Sequence, residues 1–180
     1  MKYKYLIVFP IPEPFNAEIC LLMDKVSKYT KIPPPYKKLG PHITFHRPIE
    51  EVDEETIKNL TKSMVLQIKQ TRVSVSSFFP FGKQYVVLLA HATIRLATLW
   101  AGITKLVSCL PQYVHGEFDY DNTLHITIAE KTSGVFDSVW PKIKTLSIEP
   151  MTIPVERIVL YKKPTDGGVW EKVEEYTIPE

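Results

Sequence analysis

The hydrophobic pattern changes period repeatedly along the chain, and each change marks an expected element. Residues 3–9, Tyr-Lys-Tyr-Leu-Ile-Val-Phe, form a short apolar run stopped by Pro10 and predict a strand. A helix is expected next, with Pro14 near its first turn and Ile19, Leu22, Val26 and Tyr29 along one face. Residues 31–40 predict a loop, held extended by Pro33, Pro34 and Pro35. After a strand at 41–45, Asp53 is the expected N-cap of a second helix whose first turn carries Glu54 and Glu55. Its buried face comprises Ile57, Leu60, Met64 and Ile68. Residues 72–79 alternate as a strand does, and Pro80-Phe81-Gly82 closes this half of the chain.

The second half repeats that order. A strand is expected at 85–90, then a helix from about Thr93 with Leu96, Trp100, Ile103, Val107 and Leu110 on one face. A polar loop at 111–123 leads to a strand at 124–128. A helix near 133–145 must accommodate Pro141 as a kink or as the start of a second piece. Residues 147–163 and 169–178 predict strands, with Asp166-Gly167-Gly168 as the turn. The repeated order predicts a single domain over residues 1–180, built as two pseudo-symmetric lobes, one about residue 42 and one about residue 125. It favours an α+β fold with antiparallel sheets over a parallel doubly wound one.

One pattern recurs almost literally. Pro41-His42-Ile43-Thr44-Phe45 is echoed by Leu124-His125-Ile126-Thr127-Ile128, and His125 lies 83 positions after His42. Side chains alternate on a strand, so each copy presents an imidazole and a hydroxyl on one face and an isoleucine on the other. A single such histidine is more often a satisfied, half-buried strand residue than a catalyst. Two copies in equivalent strands carry the functional reading.

Composition narrows the classes without naming one. The chain has 180 residues, 44% hydrophobic and 23% charged, with a net charge of +2, as expected for a globular domain that tolerates an anionic ligand. Its densest basic spots, Tyr36-Lys37-Lys38 and Tyr161-Lys162-Lys163, are too short for a nucleic-acid arm. Cys20 and Cys109 have no CxxC partner and are expected to be buried thiols, which places the protein in a reducing compartment, the cytoplasm. The opening apolar run is too short for a signal-peptide core, and no stretch reaches membrane-spanning length. With seven glycines and neither GxGxxG nor GxxxxGK, a Rossmann or P-loop nucleotide fold is disfavoured.

Taken with their order in a duplicated chain, the two His-Ile-Thr stretches resemble the paired motifs of the two-histidine (2H) phosphoesterase superfamily. That superfamily includes the LigT-like 2′-5′ RNA ligases and the cyclic phosphodiesterases. Ile158-Val159-Leu160-Tyr161, a Gly turn and Trp170 resemble its closing hairpin. The resemblance implies a LigT-like fold with two antiparallel sheets facing a central cleft and helices outside. It also implies a phosphoesterase without cofactor or metal that takes a nucleotide, a cyclic nucleotide or an RNA end, expected here as a monomer.

Elementary chemistry agrees. Cleaving a phosphodiester needs a base and an acid, and histidine, with a reference pKa of about 6.5, serves as either near neutrality. His42 and His125 are thus the candidate catalytic pair, in either assignment, with Thr44 and Thr127 as donors to the phosphate. Tyr85, Tyr161 and His46 are candidate cleft-lining residues, and Phe79 joins the tyrosines as a candidate stacking surface. His91 and His115 are expected to be structural or at the surface. Two other readings stay open: a non-catalytic nucleotide- or RNA-binding module, and a metallohydrolase built on His42, His125 and the acidic loop Glu117 to Asp121.

Overall fold

The computed structural model describes residues 2–50, 52–108 and 123–180; within these, the side chains of His46, Arg47, Leu99, Ile103, Leu106 and Ser108 lie outside the description. Eight strands are described: β1 (Tyr3–Pro10), β2 (His42–Glu50), β3 (Thr71–Phe81), β4 (Tyr85–Ala92), β5 (His125–Glu130), β6 (Met151–Val155), β7 (Arg157–Pro164) and β8 (Glu171–Thr177). Four α-helices accompany them: α1 (Phe15–Thr30), α2 (Glu54–Val65), α3 (Ile94–Ser108) and α4 (Phe136–Ile143). The strands form one antiparallel sheet in the order β6-β3-β4-β5-β2-β1-β7-β8.

The two sheets expected from the sequence are the two four-stranded halves of this sheet. Between β5 and β2 a single residue pair, Ile43 opposite Ile126, joins them. The halves interleave along the chain: β3 lies beside β4 and β6, whereas β7 lies beside β1 and β8 beside β7. The stretch expected as one strand from 147 to 163 divides at Glu156, and its two pieces go to opposite edges of the sheet.

All strands but β8 bury residues of one face in the core, and β8 adds only the partly buried Val173 and Tyr176. Tyr5, Ile7 and Phe9 of β1, Ile43 and Phe45 of β2, and Ile126 and Ile128 of β5 all enter one core. So do Val86 and Leu88 of β4, and Ile158 and Leu160 of β7. In α1 the buried face is Ile19, Met23, Val26 and Thr30, with Leu22 only partly covered and Tyr29 exposed, so the expected face is rotated by one position. Cys20 is half-buried rather than buried, and its thiol donates to Asn16 Oδ1; Cys109 lies outside the described residues. In α2 the Asp53 carboxylate caps the Thr56 amide at 2.9 Å, as its position implies. Pro141 is contained within α4 and neither divides nor ends it.

The opposite face of the sheet differs in character. On β1 and β7 it carries a small apolar cluster of Leu6, Val8 and Val159, with Leu39, Tyr161 and Trp170 packed over it. On β3 and β4 it carries Phe79, Phe81, Tyr85, Val87 and Leu89, following the pairs Phe79–Val87 and Phe81–Tyr85. Among the described residues, no helix is long and apolar enough to cross a membrane.

Candidate functional site

The junction between the two half-sheets is where the repeated stretches meet. Ile43 and Ile126 face each other across it with their side chains in the core, 1% and 0% exposed. Alternation then turns His42, Thr44, His125 and Thr127 to the opposite, open face, where all four are half-buried. Antiparallel geometry around the isoleucine pair places His42 beside Thr127 and Thr44 beside His125. The two histidines are diagonal neighbours, with Cα atoms roughly 7–8 Å apart in a regular sheet. The structure therefore brings together the four residues singled out from the sequence.

Both imidazoles are held in the same way. His42 Nδ1 donates to the carbonyl of Gly40 at 2.7 Å, and His125 Nδ1 donates to the carbonyl of Thr123 at 2.9 Å. A carbonyl oxygen can only accept, so in each ring Nδ1 carries a proton and Nε2 is the nitrogen turned away from that carbonyl. The acceptor stands two residues before the histidine each time. Burial pulls the His42 imidazole below its ordinary pKa, the nearby His125 pulls the same way, and the bond to Gly40 opposes both.

The Gly40 carbonyl belongs to a loop anchored across the junction. A short 3-10 turn at Pro35–Lys37 leads to Lys38, whose ammonium pairs with Glu130 at the end of β5. The carbonyls of Gly40 and Thr123 escape any reading of side-chain motifs, since backbone acceptors leave no signature in residue identity. A strand-breaking glycine two positions before His42 is the nearest signal.

The remaining candidates separate. Tyr85 is 40% exposed on the open face beside Phe79, which is 42% exposed. Tyr161 is on the same face of the other half, and burial pushes its hydroxyl pKa up. The side chain of His46 lies outside the description. Its backbone pairs with Ile7, next to a register shift. Lys162, next to Tyr161, points to the helix side, where it donates to Glu54 at 2.7 Å and lies 5.2 Å from the Tyr3 ring. His91 is exposed and pairs with Ser74, two residues along β4 from the Leu89 that faces His125. His115 and the acidic stretch Glu117 to Asp121 lie outside the described residues. Among the described residues, no group of three His, Cys, Asp or Glu side chains could hold a metal ion.

The site gains one residue that the sequence pattern hides. Phe81 stands edge to face against the His125 ring, with centroids 4.7 Å apart and planes at 81°. Strict alternation from Val73 and Val75 would send Phe79 and Phe81 into the core. A bulge between Val75 and Phe78 adds one residue and turns both rings to the open face. Ser76-Ser77 within an otherwise alternating run is the only trace of it in the sequence.

Comparison with known proteins agrees with this architecture. E. coli LigT, in its complex with NADP+, superposes with a TM-score of 0.61 over 100% of both chains at 15% identity. The TT0787 protein of Thermus thermophilus matches with a TM-score of 0.61 at 20% identity, covering 99% of this chain and 98% of that one. E. coli LigT in its complex with 3′-AMP gives 0.58 at 15% identity over 100% of both. At these identities the likeness is one of fold. No curated protein matches the sequence. The sequence profile of the 2′-5′ RNA ligase superfamily matches residues 15–167, and the chain, with its LigT-like α+β fold, belongs to that superfamily.

Proposed function

We propose that the protein is a metal-independent phosphoesterase that acts on a phosphodiester of a nucleotide, a cyclic nucleotide or an RNA end, with His42 and His125 as the acid–base pair. One observation carries this reading: both rings bond a backbone carbonyl through Nδ1 and stand side by side on the open face of the sheet junction. One imidazole takes the proton of the attacking water as the new P–O bond forms. The other, an imidazolium protonated on Nε2 as well as Nδ1, gives its Nε2 proton to the departing oxygen as the old P–O bond breaks. Thr44 and Thr127, flanking the pair, donate to the non-bridging oxygens as charge builds on them. The lowered pKa of His42 keeps it neutral near pH 7, ready to accept a proton. The site lies within one domain of two pseudo-symmetric lobes, and the protein acts as a cytoplasmic monomer.

The nucleotide part of the reading draws on the walls of the cleft. Phe79 and Tyr85 offer exposed rings on the open face of the same half-sheet, Phe79 against the Phe81 ring that meets His125, on which a base can stack. Structures of E. coli LigT with NADP+, 3′-AMP and ATP show that a protein of this fold takes nucleotides.

The test is a turnover screen in EDTA with 2′,3′-cyclic nucleotides, 2′-5′-linked oligoadenylate and ADP-ribose 1″,2″-cyclic phosphate. Turnover of at least one that persists in chelator is the expected result. Binding without turnover would make the protein a non-catalytic nucleotide- or RNA-binding module. Activity abolished by EDTA and restored by metal would point to a metallohydrolase instead.

A further inference from the structure

We propose that Phe81 is the positioning residue of His125, fixing the plane in which that imidazole presents Nε2. This rests on the reading of His125 as an acid–base residue. The bond to the Thr123 carbonyl settles which nitrogen turns inward, and a hydrogen bond along the N–H···O axis does not by itself define the plane of the ring. A flat ring placed edge to face at 4.7 Å and 81° bears directly on that plane. Phe81 is itself braced, with Phe79 at 5.9 Å and 82°. Both face the cleft only because of the bulge at Ser76-Ser77, which gives the irregularity in β3 a purpose.

The register shows that this brace is not shared equally. Thr127 pairs with Val87 and Phe81 with Tyr85 in one half; in the other, Thr44 pairs with Val8 and Tyr161 with Leu6. Counted from the junction, Tyr161 is therefore the counterpart of Phe81. Yet Tyr161 packs on the cluster of Leu6, Val8 and Val159. Two histidines held alike through Nδ1 are thus held differently at the ring.

Phe81→Leu tests the assignment, because it keeps apolar bulk and loses the flat face. On a substrate that the wild type turns over, kcat should fall about tenfold with KM little changed, the scale of one lost aromatic pair. The imidazole titration of His125, followed by NMR, should shift together with one limb of the pH–rate profile, while that of His42 stays. Phe81→Tyr should restore both. Wild-type kcat with an unmoved His125 titration in Phe81→Leu would overturn the proposal, as would failure of Phe81→Tyr to rescue. Should the leucine variant not fold, nuclear Overhauser contacts between the Phe81 and His125 rings in the wild type decide it, and their absence overturns it. If the wild type turns over no phosphodiester, the acid–base reading is what fails, and the NMR contacts still report on the brace.

Discussion

The two halves of the sheet present the same motif from unlike surroundings. Beside His125 and Thr127, the open face of β3 and β4 carries aromatic rings, with Phe79 and Tyr85 each about two-fifths exposed. Beside His42 and Thr44, the open face of β1 and β7 is filled by the chain itself: Leu6, Val8 and Val159 are 6%, 1% and 2% exposed beneath Leu39, Tyr161 and Trp170. One half keeps apolar surface uncovered and the other covers it. Exposing aromatic area to water costs folding free energy that burial would recover, so the uncovered rings are better placed to serve a ligand than the fold. Repetition of a motif does not imply repetition of its role.

Breaking both halves at once gives the largest expected effect. His42→Ala and His125→Ala should each lower turnover by roughly 10²–10⁴-fold. The double variant should fall short of the product of the two losses, because the pair acts as a unit on one phosphorus. Full activity in either single variant would exclude a two-histidine mechanism. Next in size, Thr44→Ala and Thr127→Ala should each lower kcat by about tenfold to a hundredfold, since a hydrogen bond to a charged group is worth about 1.5–3 kcal/mol. A rise in KM with kcat unchanged would assign these hydroxyls to ground-state binding instead.

A third pair of substitutions sharpens the contrast directly. Leu6→Ala should cost about 2 kcal/mol of stability, read by denaturant unfolding, because it opens space in a closed apolar cluster. Tyr85→Ala should leave stability within about 0.5 kcal/mol and raise KM about tenfold, the scale of one lost base–aromatic contact. If the stability loss appeared in Tyr85→Ala instead, the assignment of the two walls would be reversed.

The smallest effect concerns pH. The folded state holds His42 below its unfolded value, so between the two pKa values the unfolded chain binds more protons. Stability should therefore decline as pH falls below about 6.5 and stop declining, for this residue, once pH passes below the folded value. His42→Gln should remove that part of the acid sensitivity. An identical pH dependence of melting in the variant and the wild type would contradict the lowered value.

Much of this was legible in the chain, and what was hidden has a physical reason. The His-Ile-Thr stretches, the Asp53 cap and the strand–helix order follow from local periodicity, which a linear sequence records. The role of Phe81 was invisible because period-2 counting fails after a bulge, and Ser76-Ser77 contains nothing that demands one. The division at Glu156 was missed for a similar reason: an unbroken run of strand-forming residues does not say that its two pieces travel to opposite edges. The face of α1 shifted by one position because Met23 meets the core where Leu22 was expected, a choice made by tertiary contact. Lys162 looked like part of a basic spot until its partners, Glu54 and Tyr3, were seen on the other side of the sheet.

The single pair joining the half-sheets has a mechanical consequence. A ladder one residue pair wide offers little backbone resistance to bending, so it does not set the angle between the halves. That angle is set beneath, where α1 packs on β5 and α4, and where the Trp100 indole on α3 donates to the Phe45 carbonyl on β2. The bite of the two imidazoles is therefore gauged by buried residues that no substrate ever touches. Selection for a sound interior and selection for a working cleft act on the same side chains, and drift in one is felt as mistuning of the other.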